Sequence, residues 1–273
     1  MSCRPKNGDD QAETPGNKPV IFVSVAPQAF LVKVVAGPEF DVRTLIEPGQ
    51  DPHHWLPSPK QTLALSKAAA WFPSGLPFEQ SILPKIRSGK SAVQIFPLVD
   101  THSFAHDHET DPHSWLSPPL LIEQTKLIST ALSQLDPEKA SLYQSRALTL
   151  TENTAALHTN LTEQLSSYRG RSFLIFHSAL GHFARTYQLS QKVIQSGDAP
   201  PDPKHLREII RQAQQNKTTA VLIQPQFDDQ GARMVAEAIG GRVVIIDPLA
   251  EDVLANLKHI ADTLTEVFSQ TDP

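Results

Sequence analysis

Short, β-branched apolar runs alternate with longer amphipathic ones along most of the chain. Residues 20–25 (VIFVSV) read as a buried strand, 28–36 as a helix entered from a proline, and 40–46 as a second strand running into an EPGQ turn. A helix is predicted over 59–70, a short strand ending at 71–72, a helix over 77–87 and a strand over 92–96. Strands that are apolar throughout, in βαβα order, imply a parallel sheet covered on both faces. Residues 120–135 then read as a helix, and 138 to about 168 as an uninterrupted helical tract of roughly 45 Å at ~1.5 Å per residue. The alternation resumes with strands at 172–176, 192–195, 220–223 and 242–246, and helices at 179–187, 203–216, 228–239 and 251–268. The expected architecture is α/β: two parallel-sheet (β/α) lobes joined by one long rigid helix. The expected divisions are a disordered tail (1–18), an N-terminal lobe (19–136), a linking helix (137–169) and a C-terminal lobe (170–273). A chain of 273 residues is long enough for each lobe to have its own core.

One phrase occurs twice against this background. Residues 51–59 read DPHHWLPSP and residues 111–119 read DPHSWLSPP, agreeing at six of nine positions. Each places a histidine on a proline-stiffened turn beside an aromatic wedge, and Pro118–Pro119 suit the first turn of a helix. Eleven histidines stand against three tyrosines and two methionines, so imidazole chemistry is over-represented. A net charge of −5 without a long basic stretch gives no support for nucleic-acid binding. The single cysteine, Cys3, excludes intrachain disulfides and cysteine metal cages. No apolar run approaches bilayer length, and Met1-Ser2 leads into a polar tail without a signal peptide. Two readings of the tail stay open. One is a cytosolic protein with a stray thiol; the other is a mature extracytoplasmic form in which Cys3 carries a lipid anchor.

Ligands in parallel α/β sheets bind outside the carboxyl ends of the strands. His53 lies on the loop after the second strand, and His113 on the loop after the last strand of the first lobe. His177 follows FLIF directly and Asp247 follows VVII. Two come from each lobe, so a metal site in the interlobe cleft would gather all four. Three neutral imidazoles and one carboxylate make a zinc set, whereas manganese prefers more carboxylate. The plainer alternatives are that His177 is a capped core histidine and that Asp247-Pro248 is a helix entry.

The segments PGQDPHHW, DPHSWLSP, FHSALGHFARTYQL, VLIQPQF and VVIIDPLA resemble the signatures of metal-specific solute-binding proteins of ABC importers, in their zinc/manganese cluster. WFPSGLPFE resembles that family's strand-to-helix turn, and the likeness runs from about residue 19 to 268. The resemblance implies that His53, His113 and His177 are the three histidine ligands and Asp247 the carboxylate, with Zn2+ as the transported ligand. It further implies a membrane permease as partner, an extracytoplasmic location, periplasmic or lipid-anchored at Cys3, and a monomer that is not an enzyme. Manganese-type members tend to carry a carboxylate where His177 stands. There are departures. The His-rich loop is short, with His102, His106, Asp107, His108 and Glu109, and is either a weak auxiliary metal site or a solvated loop. His182 stands where a tyrosine is common. His54 is expected to point away from the site. The competing readings are a manganese- or iron-selective receptor, a zinc metallohydrolase, and an extracellular adhesin or metal buffer. Against the hydrolase, HExxH is absent and four protein ligands would close the open position that catalysis needs. Asp247 and a water both remain open as the fourth ligand.

Overall fold

The computed structural model describes residues 18–88, 91–99, 111–195, 202–227 and 230–270. The expected tail with Cys3, and His102, His106, Asp107, His108 and Glu109 of the short loop, lie outside the described residues. The first half contains β1 (Val20–Val23), α1 (Ala26–Ala36), β2 (Asp41–Thr44), α2 (Pro59–Ser66), β3 (Ala70–Phe72), α3 (Pro77–Ser88) and β4 (Gln94–Ile95). Its strands are all parallel, in the order β2-β1-β3-β4. The second half contains β5 (Ser172–His177), α6 (Gly181–Thr186), β6 (Ser190–Gln195), α7 (Pro203–Gln215), β7 (Ala220–Ile223), α8 (Gln230–Ala238), β8 (Arg242–Ile245) and α9 (Val253–Ser269). The order β6-β5-β7-β8 is again parallel. Between them run α4 (Pro118–Leu135) and α5 (Ala140–Gln164).

Local chemistry explains the helix starts. Ser58 caps α2 by accepting from the Gln61 backbone N–H while the Gln61 side chain returns to Ser58. Pro118 and Pro119 open α4, where their missing N–H groups would be unpaired in any case. The long tract is shorter than its sequence suggests. The α-helix α5 has 25 residues, or roughly 37 Å at ~1.5 Å per residue. It is flanked by 3-10 turns at Pro137–Lys139 and Ser166–Tyr168, and before the second Leu165 leaves α-helical geometry at φ −90°, ψ 0°. Arg146 ties α5 to the first lobe through the Ala36 carbonyl and Glu39, and Gln164 ties it to the second through Asp262 of α9.

The expectation of a separate core for each lobe needs correction. One apolar cluster runs from β1 and α1 through α4 and α5 to Phe173, Ile175 and α9. Only the opposite face of the second sheet, with Leu174, Phe176, Ile194 and Val221, forms a smaller cluster of its own. Alternation along β5 sends successive side chains to these two cores. The lobes are therefore fused through buried apolar packing as well as by α5.

Candidate metal centre

Both sheets reverse strand order at their second gap, between β1 and β3 and between β5 and β7. That switch point is where a parallel sheet opens a crevice for ligands. In the second sheet His177, the last residue of β5, and Gln224, just after β7, flank it. In the first sheet the crevice is filled. The carboxylate of Glu79, 2% exposed, accepts from the Ser24 hydroxyl and from the Ser74 and Gly75 N–H groups. Burial pushes this carboxyl up to about 7 despite those donors.

The two DPH phrases fold alike at their starts. Asp51 Oδ1 accepts from the His53 N–H at 2.9 Å, and Asp111 Oδ1 from the His113 N–H at 3.0 Å. The aspartate thus pins the backbone of the histidine two residues on. Their rings are treated differently. The His113 Nδ1 is 2.7 Å from Asp111 Oδ1, an N–H donor to a carboxylate that leaves Nε2 with its lone pair. Asp51 instead takes the ring of His54 at 2.6 Å. The His54 side chain is 56% exposed, as expected of a residue outside the site. His182 supports the second phrase, with Nε2 donating to the Asp111 carbonyl and Nδ1 accepting from Arg185. Asp111 also lies so close to Gly181 that a Cβ there would collide with Asp111 Oδ2. Burial raises the Asp111 pKa, but the hydrogen bond and charge of His113 outweigh it and the net direction is downward.

His53, His113 and His177 come together. The centre of the His53 ring is 5.8 Å from that of His113 and 5.1 Å from that of His177. Imidazoles bound at ~2.0–2.1 Å to a tetrahedral zinc have ring centres roughly 5 Å apart. His113 and His177 are 5% and 8% exposed. Burial, and then the proximity of His113 and His177, push the His53 pKa down to about 4, so this ring is a neutral donor at physiological pH. The rings border a cavity of about 20 Å3, room for about one water-sized occupant. Among the described residues, no group of three or more His, Cys, Asp or Glu side chains is posed to hold a metal ion as it stands. Ligation therefore requires side-chain rotation within a cluster whose spacing is already suitable.

Asp247 is not among the residues that line this cavity. Its Oδ1 accepts from Gln226 Nε2 at 2.9 Å and from the Leu249 N–H at 3.0 Å. Its neighbours Pro248 and Leu249 line the cavity. Three contributors went unassigned in the sequence. Phe227 stacks on the His177 ring at 4.5 Å. Gln224, 2% exposed, donates to the His177 carbonyl at 2.7 Å and keeps a buried Oε1 without a hydrogen-bond partner beside the cavity. Asp111 orients His113. Gln224 and Phe227 follow β7, so the strand-end rule that selected His177 and Asp247 applied to them equally. Only the preference for ionisable side chains passed them over.

Known proteins share this fold. A family described as the periplasmic component A of the zinc-uptake complex, ZnuA, matches residues 21–267. A putative metal-binding protein of Chlamydia trachomatis is 28% identical over 245 residues, covering 88% of each chain. The zinc-binding lipoprotein AdcA of Streptococcus pneumoniae is 26% identical over 264 residues, covering 88% of this chain and 53% of AdcA. Among solved structures, a zinc-bound deletion mutant of ZnuA superposes with a TM-score of 0.85 at 30% identity, over 92% of this chain and 98% of that one. The zinc-binding protein TroA of Treponema pallidum shares the fold, with a TM-score of 0.82 at 19% identity. The match over nearly the whole chain and the two parallel sheets around a histidine cluster agree: the chain belongs to the ZnuA family of periplasmic zinc-uptake components, a family of metal-binding transport proteins and not of enzymes.

Proposed function

We propose that this protein captures Zn2+ outside the cytoplasmic membrane and delivers it to the membrane permease of an ABC importer. The observation that carries the reading is the meeting of three imidazoles, from two loops and the end of β5, around one small cavity. In this reading His53, His113 and His177 are the zinc ligands. Asp247 or a water fills the fourth place, and the prior engagement of Asp247 Oδ1 by Gln226 and Leu249 favours the water. Three nitrogen donors select zinc over manganese. A manganese-bound periplasmic relative from Candidatus Liberibacter asiaticus, at 23% identity, shares the fold and makes manganese the competitor to test. The division at 19–136, 137–169 and 170–273, a monomeric state, a lipid anchor at Cys3 and an auxiliary site at His102, His106 and His108 belong to the same proposal.

The test is to strip the protein with a chelator and titrate zinc against a competing indicator, with manganese in large excess in a parallel run. One tight equivalent of zinc, undisturbed by manganese, is the expected result. A preference for manganese overturns the selectivity. No tight metal at all refutes the proposal. A second tight equivalent, lost on deleting 102–108, would establish the auxiliary site.

A further inference from the structure

The two copies of the phrase are anchored to different lobes. The first is held within its own lobe, where the Trp55 ring meets Phe78 of α3 edge-on at 4.7 Å. The second reaches across. The Asp111 carbonyl accepts from His182 of α6 at 2.9 Å, and the Ser117 and Thr186 hydroxyls are 2.9 Å apart. Trp115 Nε1 donates to the Pro248 carbonyl at 2.8 Å. Trp115 is fully buried, and its ring stands edge-on to His113 at 5.3 Å. Pro248 directly follows Asp247, so one indole packs on a ligand candidate from the first half and bonds the peptide beside one from the second.

We propose that Trp115 is a positioning residue for the metal site: its N–H···O bond to Pro248 clamps His113 onto the C-terminal lobe. His113 and His177 are then both held on the C-terminal lobe, a two-imidazole half-site whose rings still turn to ligate, and His53, whose ring centre lies 5.8 and 5.1 Å from theirs, is the ligand brought to it by the N-terminal lobe. This rests on the zinc-site reading above. Physical chemistry favours the clamp over simple core filling. A buried indole needs an acceptor, and the acceptor here is a peptide of the other lobe. Moving Trp115, and His113 with it, away from Pro248 must break that bond and leave both partners unpaired. Among the described residues, His53 meets the other lobe through its ring contact with His177 at 5.1 Å and through no hydrogen bond; its loop follows α3 through Trp55. Metal is expected to settle on the half-site first and to be enclosed when His53 joins. Withdrawal of His53 then loosens the ion without dismantling the other two ligands.

The experiment uses the full chain with zinc as the probe. Trp115→Phe keeps an aromatic ring against His113 and removes only the N–H. Zinc affinity should fall about ten- to a hundredfold, chiefly through faster dissociation, while the apo protein keeps its secondary structure. Wild-type affinity and dissociation rate in a folded Trp115→Phe, whatever its melting temperature, would reduce the indole to packing and overturn the proposal. Should that variant not fold, His53→Ala and His113→Ala decide the matter. The half-site requires His53→Ala to bind zinc about tenfold or more tightly than His113→Ala. Equal losses, or the reverse order, overturn it. A wild-type chain that binds no zinc removes the underlying zinc reading, and that outcome is distinct from failure of the clamp.

Discussion

The sharpest use of the repeated phrase is to change the same residue in both copies. Asp111→Asn alters a carboxylate whose Oδ1 receives both the backbone N–H and the ring Nδ1–H of His113, at 3.0 and 2.7 Å. The asparagine oxygen must stay on that side, because the backbone N–H needs an acceptor and the amide NH2 offers none. The imidazole tautomer is therefore retained and the negative charge alone is lost. A carboxylate behind a ligating histidine raises its basicity and holds its plane; removing such a partner typically costs ten- to a hundredfold in metal affinity, about 1.4–2.7 kcal/mol. The new amide would occupy the place of Oδ2, a buried atom without a hydrogen-bond partner, packed against Gly181. An unpaired buried N–H there costs about 1–3 kcal/mol of folding stability. Relief of the buried charge acts in the opposite direction, so melting temperature is a poor readout and zinc affinity the right one.

Asp51→Asn is the internal control. Asp51 pins the His53 backbone in the same way, but its second oxygen serves His54 and not the His53 ring. Zinc affinity should therefore change little in Asp51→Asn and fall ten- to a hundredfold in Asp111→Asn. Competition against a chromophoric chelator at neutral pH measures both. Equal losses in the two variants, or an unchanged affinity in folded Asp111→Asn, would refute the argument that Asp111 acts through the His113 ring.

Three further outcomes are expected. His53 should titrate near pH 4 in the zinc-free protein, read by NMR of its ring protons, because burial and two neighbouring imidazoles disfavour its charge. Three histidines of reference pKa ~6.5 would lose roughly 4 log units of zinc affinity between pH 7 and 5, and a neutral His53 removes its share of that loss. A fall of the full size would show His53 to be an ordinary, solvated imidazole. Glu79 binds a proton in the folded chain up to about pH 7, whereas unfolded it releases it near ~4.3, so its contribution to stability declines as pH rises through that window. The stability of the wild type relative to Glu79→Gln, from denaturant unfolding at pH 5 and 8, should drop by up to about 3 kcal/mol. A pH-independent difference would mean that the Ser24, Ser74 and Gly75 donors keep the carboxylate ionised. Asp247→Ala should cost less zinc affinity than His113→Ala, since the Asp247 carboxylate is already engaged by Gln226 and Leu249. An equal loss would make Asp247 a full ligand.

The parallel lobes were legible because strands buried on both faces carry unbroken apolar runs, as in VIFV and AVLI. The meeting of His53, His113 and His177 was legible because the carboxyl ends of parallel strands lie together at one end of a sheet, and because a DPH turn repeats. What escaped has physical causes as well. The fusion of two cores into one depends on α4, α5 and α9 meeting both lobes, a long-range contact that no local period encodes. The early end of α5 is set by one residue, Leu165, in a stretch whose helical pattern continues beyond it. The place of Glu79 in the first crevice depends on Ser24, fifty-five positions earlier. Gln224 is uncharged and escaped a search for titratable groups, although its strand-end position is as informative as that of His177.

The continuous core constrains how the protein exchanges metal. Wide separation of the lobes would break into the apolar cluster that runs without a gap from β1 and α1 through α4 and α5 to Ile175 and α9. Fully burying a single large apolar side chain is worth about 1.5–3 kcal/mol, so each core side chain that parting uncovered would oppose opening on that scale. The cross-lobe ion pair Lys33–Glu251 adds little, because both side chains are about half exposed. The deformable parts are the loops at the strand ends, and they are not equally deformable. The second phrase is bonded across the cleft at Asp111, Trp115 and Ser117, while the first leans on Phe78 alone among its ring contacts outside the histidine cluster. Exchange by displacement of the His53 loop, with the lobes nearly still, is the motion this packing permits. Hydrogen exchange should then change most across residues 47–58 on zinc binding and least in α5; strong, uniform protection of α5 instead would indicate rigid-body closure.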